Sequence, residues 1–210
     1  MLFEDTYKTI TKQSEGLFKD KGSRFIAKTY PVSNEKEIKE ILHDLRKQYH
    51  DARHHCFAYI LGADKTAYRV NDDGEPSGTA GKPIYRQLLS YELTNILIVV
   101  IRYFGGTKLG IPGLINAYKS ATKDALENNE IIVRTVKDVY QIDYDYSAMN
   151  NVMKIIKDEK LEQIETNFQL KCKIVFSVRK SFTNKVYERF CKVDGLKIKF
   201  LRTMSMPEIR

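Results

Sequence analysis

Tryptophan is absent from this chain of 210 residues, and cysteine occurs only three times. Cys56, Cys172 and Cys191 are odd in number, far apart and never spaced as a CxxC pair, so they suggest neither a disulfide framework nor a cysteine-rich zinc site. They read as small core hydrophobes. The longest apolar run, Ile96 to Ile101, is far short of the roughly 20 residues that a membrane helix needs. The opening MLFEDTYKTITK has no apolar signal core. The expectation is a cytoplasmic protein with no membrane partner. Low-complexity stretches, Ser/Gly linkers and internal repeats are missing as well, so a domain boundary has to come from a change of pattern.

Positive charge is what the chain has in excess: 35 Lys and Arg against 27 Asp and Glu give a formal net charge of +8. That balance suits a polyanion such as RNA or the ribosome, because phosphate contacts release counterions. It also suits a solvated basic surface.

The pattern changes near residue 135. Before it, Ile38, Ile41, Leu42, Leu45 and Tyr49 fall at helical spacing, and Asn34 with Glu37 resembles a capping box, predicting a helix over 34–49. His55 to Leu61 reads as a strand, and Asn95 to Tyr103 as a strand buried on both faces because its apolar run is continuous. A long polar, glycine-rich loop is expected between them. Pro112 suits the first position of a helix carrying Ile115, Tyr118, Ala121, Thr122, Ala125 and Leu126. After about residue 136 the order becomes strand, helix, strand, strand, helix, strand, the ferredoxin-like βαββαβ order. Alternation in Tyr140, Ile142, Tyr144 and in Cys172, Ile174, Phe176, Val178 marks strands, and Met149, Val152, Met153, Ile156 mark a helix. The fold class is therefore α+β, with an N-terminal α/β domain over 1–135 and a ferredoxin-like domain over 136–210. On the open face of the second sheet, Lys171, Lys173, Lys197 and Lys199 should share space with Gln141, Asp143 and Asp145 of the intervening strand, which neutralises much of their potential.

Two loops carry the chemistry. Asn71 to Gly81 holds Asp72, Asp73 and Glu75 among three glycines. It fails as an EF-hand, since with Gly74 as the turn glycine Arg69 and Ala80 occupy the first and twelfth ligand positions. It reads either as an acid-base cluster or as a tight loop whose carboxylates cap backbone amides. The second loop, Arg102, Tyr103, Phe104, Gly105, Gly106, Thr107, Lys108, Leu109, Gly110, joins the buried strand to a helix. A phosphate-binding loop would need Lys and Ser/Thr where Ile111 and Pro112 stand, so an ATPase is not indicated. An anion nest of backbone amides with Arg102 and Lys108 as charge partners is one reading, close glycine packing the other. His50 and His54 have the spacing of a zinc-protease helix, but Asp51 replaces the required Glu and the helix ends there. No metal and no cofactor are expected.

Four stretches resemble the motifs of the YigZ/IMPACT (YvyE-like) family: Lys21 to Ala27, Asp51 to Tyr59, Asp72 to Gly81 and Arg102 to Gly110. The resemblance implies an N-terminal domain like the second domain of a small-subunit ribosomal protein, with helices on one face of the sheet. It implies a C-terminal domain like the last domain of elongation factor G. Both parallels point towards translation, with RNA, the ribosome or a protein as partner and no established catalytic residues. Eukaryotic members restrain a kinase with an extra N-terminal domain that this chain is expected to lack, so that role does not transfer. The leading expectation is a non-enzymatic binding protein whose surface comprises Arg102, Tyr103, Gly105, Gly106, Lys108, Gly110, Asp72, Asp73, Glu75 and His54. Its rival is a small hydrolase or transferase that combines the acidic loop, His54 and Arg102.

Overall fold

The structure is a computed structural model and describes residues 5–169 and 171–204. Contacts divide it into two compact units: Tyr7–Arg134, and the chain from Thr135 onward together with Asp5 and Thr6.

In chain order the first part contains β1 (Thr6–Ile10), β2 (Ser14–Asp20), β3 (Ser23–Pro31), α1 (Glu35–Gln48), β4 (His54–Leu61), β5 (Ala67–Asn71), α2 (Gly81–Ser90), β6 (Ile96–Tyr103), α3 (Gly110–Glu127) and β7 (Ile131–Thr135). β1 pairs with β7 as a ribbon, and the other five strands form one antiparallel sheet ordered β2-β3-β6-β4-β5. Strand alternation sends Phe25, Ala27, Cys56, Ala58, Ile98 and Val100 to one face, where α2 and α3 pack through Ile84, Leu88, Ala117, Tyr118 and Ala121. It sends Ile26, Phe57, Tyr59, Leu97, Val99 and Ile101 to the other, covered by Ile38 and Leu45 of α1. Helices thus lie on both faces of the sheet, not on one as the family resemblance implied. β6 sits at the centre and is apolar on both sides, which is why its run is continuous.

The α1 cap forms half of the expected capping box: Asn34 Oδ1 accepts the Glu37 amide at 3.0 Å, but the Glu37 carboxylate accepts the Ser33 amide at 2.8 Å, one residue before the N-cap. The expected long loop between β4 and β6 instead contains β5 and α2. β5 is an exposed edge strand of five residues, none of them buried. α2 has no side-chain cap of its own at Ala80, so neither element carries the usual local signal. Pro112 is the third residue of α3, still inside the first turn where a missing amide costs nothing.

The second unit contains β8 (Lys137–Asp145), α4 (Met149–Asp158), β9 (Glu162–Phe168), β10 (Lys171–Arg179), α5 (Thr183–Cys191) and β11 (Lys197–Met204). Its sheet order is β11-β8-β10-β9, the ferredoxin-like arrangement, with both helices packed on Ile142, Ile174 and Phe176. Register sets Asp143 between Lys173 and Lys197. Lys173 also pairs with Glu165 at 3.0 Å. The expected charge neutralisation on this face is therefore built in. Cys56 and Cys172 are buried, but Cys191 at the end of α5 is exposed and is no core residue.

Candidate functional site

Antiparallel pairing brings one end of five strands together: the close of β2, the start of β3, the close of β6, the start of β4 and the close of β5. All four motif stretches meet there, because Arg24 pairs with Tyr103 and His54 with Arg102. The acidic loop extends β5 on one side and the glycine loop extends β6 in the middle.

Each acidic side chain of the loop is engaged by donors of the chain itself. Asp72 accepts the amides of Gly78 (2.8 Å), Ala80 (3.0 Å) and Gly81 (2.8 Å), so it caps α2 from outside the helix and satisfies amides that would otherwise be orphaned. Asp73 stands at φ 40° with Gly74 at φ 85°. Its carboxylate accepts the His55 amide at 2.7 Å and the Arg46 guanidinium at 2.8 Å, tying the loop to β4 and to the last turn of α1. Its carbonyl lies 2.8 Å from His54 Nδ1. Glu75, with its side chain only 3% exposed, accepts Arg102 Nη1 at 2.5 Å and the Tyr118 hydroxyl at 2.9 Å.

Arg102 completes this buried network. Its side chain is 6% exposed, and the guanidinium lies over Phe25 at 5.3 Å and Phe104 at 5.6 Å. It is a structural ion of the interior and not a surface charge. The Cys56 thiol donates to the Asp72 carbonyl at 3.0 Å and lies 3.3 Å from the Tyr118 hydroxyl. Burial pushes both that thiol and the Tyr118 phenol well above their usual ranges, which keeps the sulfur protonated and poor as a nucleophile. Burial, aided by the Arg46 charge, holds His55 below its ordinary value.

The glycine loop divides by role. Gly105 is pressed against Gly22 so closely that an added Cβ would fall 1.9 Å from the Gly22 carbonyl carbon, and its amide donates to Ser23 Oγ at 3.1 Å. Gly106 at φ 86° faces open space, and Gly110 at φ 72° opens α3. Lys108, Phe104 and Gly106 are exposed. Tyr103 is half-buried, donates its hydroxyl to Asp51 at 2.8 Å and carries the Arg24 guanidinium 4.6 Å from its ring centre.

The ten residues read from sequence as the site therefore share one end of the sheet but not one surface. Asp72, Asp73, Glu75 and Arg102 hold the end together; Tyr103, Gly106 and Lys108 face outward. Lys19, Lys21 and Arg24, outside those ten, line an open groove of about 500 Å³ with Asp20, Gly22, Ser23 and Tyr103. Arg46 and Tyr118, which hold Asp73 and Glu75, lie outside the ten as well. The signal for the groove was present in the Lys21 to Ala27 motif, whose first residues flank a tight turn. Among the described residues, no group of three or more His, Cys, Asp and Glu side chains is placed to hold a metal ion, and no helix is long and apolar enough to cross a membrane.

This arrangement has relatives. Residues 21–126 match the Impact N-terminal domain, which spans all four motif stretches. The chain is 32% identical over 179 residues to IMPACT family member YvyE of Bacillus subtilis, covering 85% of this chain and 82% of that one. It is 33% identical over 151 residues to IMPACT family member YigZ of Escherichia coli, covering 71% and 74%. A crystal structure titled as that of a hypothetical protein superposes with a TM-score of 0.71 at 25% identity, over 95% of this chain and 99% of that one. The chain belongs to the IMPACT family.

Proposed function

We propose that the chain is a translation-associated regulatory protein that binds RNA or the ribosome through the motif-bearing end of its first sheet. The family resemblance and the net charge of +8 set the context. The observation that carries the reading is the division of roles at that end: the carboxylates of Asp72, Asp73 and Glu75 are engaged by backbone amides, the Tyr118 hydroxyl and the Arg46 and Arg102 guanidinium groups, while Lys19, Lys21, Arg24 and Lys108 are exposed. A hydrolase built from the same loop would need a carboxylate at liberty to exchange protons with a substrate. Asp72, Asp73 and Glu75 are each engaged by two or more donors.

Co-sedimentation of the full chain with ribosomes tests the reading. The chain should travel with ribosomes at about 50 mM salt and dissociate progressively towards about 200 mM, as phosphate-dominated binding does. A chain that stays at the top of the gradient at the lower salt, and that retains no RNA in filter binding, rules the reading out.

A further inference from the structure

The β2–β3 hairpin breaks two local rules at its tip, and both breaks install a cation. Its turn has two central residues, Lys21 at φ 45° and Gly22 at φ 79°, the type I′ conformation that favours Asn, Asp or Gly at the first of these positions. Lysine there must hold a left-handed backbone without the local side-chain hydrogen bond that makes Asn tolerant of it. One step down the ladder, Lys19 stands directly opposite Arg24. Like charges facing each other across an antiparallel pair are destabilising. The same hairpin shows the ordinary solution further along, where Glu15 opposes Lys28 and pairs with it at 2.7 Å.

These three cations line the open groove of about 500 Å³ with Asp20 as its single carboxylate. Tyr103 lies across from Arg24 in the next strand and stacks beneath its guanidinium, which fixes the plane of that fork. The backbone contact of Gly22 with Gly105, and the Ser23 hydroxyl that accepts the Gly105 amide, hold the tip in place before any ligand arrives. Lys65 and Lys160 are left-handed too, and Lys137 also opposes Arg179, but there Glu162 and Asp5 take up the two charges; among the described residues no ion pair takes up Lys19, Lys21 or Arg24, which leaves this tip electropositive and suited to an anion.

We infer that this groove is a phosphate-recognition site for an RNA strand, in which Lys19 and Lys21 contact successive phosphates and Arg24, braced on Tyr103, takes one in bidentate fashion. The inference rests on the RNA-binding reading above and assigns it to the hairpin tip, with Arg102 left in its structural place.

The test uses the full chain and the double variant Lys19→Thr, Lys21→Asn, with a labelled single-stranded RNA of about 20 nucleotides as probe, a length ample for site sizes of this kind. Fluorescence anisotropy across a salt series should show weaker binding by the variant and a log K against log salt slope flatter by about 1.4, since each single-strand phosphate contact contributes roughly 0.7. The variant should also melt no lower than the wild type, and higher at low ionic strength, because Thr suits the strand, Asn suits the turn and the opposed charges are gone. A wild type that binds RNA while the variant keeps the same slope overturns the groove and leaves the RNA reading intact. A wild type that binds neither RNA nor ribosomes overturns that reading itself. A variant that melts below the wild type overturns the inference, since the lysines would then be serving the fold.

Discussion

Glu75 and Arg102 form an ion pair with side chains 3% and 6% exposed. Removing one partner strands the other in a low-dielectric interior. Glu75→Ala is expected to cost about 3 to 5 kcal/mol in urea denaturation, so lost binding in such a variant would report lost fold. His55 gives a second residue-scale expectation. Burial and Arg46 depress its folded value while Asp73 pulls the other way. The unfolded chain therefore takes up a proton near its ordinary value of about 6.5 that the folded chain refuses until lower pH. Stability from neutral His55 is complete above that value and declines as pH falls below it. His55→Gln should make the melting temperature less sensitive to acidification from about pH 7 to pH 5.5, and an unchanged dependence would refute the assignment.

At the scale of elements, apolar periodicity made α1, β4, β6, β8, α4 and β10 legible, because each buries a face against a sheet or a helix, whereas β9, with no buried residue, followed only from the βαββαβ order. β5 and α2 were not legible, since one is an exposed edge and the other takes its cap from Asp72, far outside its own first turn. The contact between Gly22 and Gly105 was equally invisible, being a meeting of two turns more than eighty positions apart. It carries its own expectation. Gly105→Ala places a methyl where the Gly22 backbone already lies, so the turns must separate. A stability loss of about 1 to 3 kcal/mol is expected from such overpacking, together with weakened RNA binding although no charge has changed. Wild-type affinity in a folded Gly105→Ala protein would show that the latch does not organise the surface.

For the whole molecule, the division into Tyr7–Arg134 and the chain from Thr135 onward, with Asp5 and Thr6 joining the latter, suggests two folding units. Asp5 is held by Arg179 through two bonds of 2.8 Å and by the Ser181 amide at 3.1 Å, which lowers its carboxyl below the usual range. We expect a fragment spanning 7–134 to fold alone. A fragment spanning 135–210 should be less stable than the same unit in the full chain, because it lacks Asp5; equal denaturation midpoints would contradict this. The decisive question for the whole molecule is which surface meets RNA. Photocrosslinking the full chain to RNA in cell extract, then mapping the modified peptides by mass spectrometry, addresses that directly. Crosslinks should fall within residues 19–25 and 103–108, on the hairpin tip and the glycine loop. Crosslinks concentrated instead on the strands carrying Lys171, Lys173, Lys197 and Lys199 would contradict the account and move the interface to the second unit.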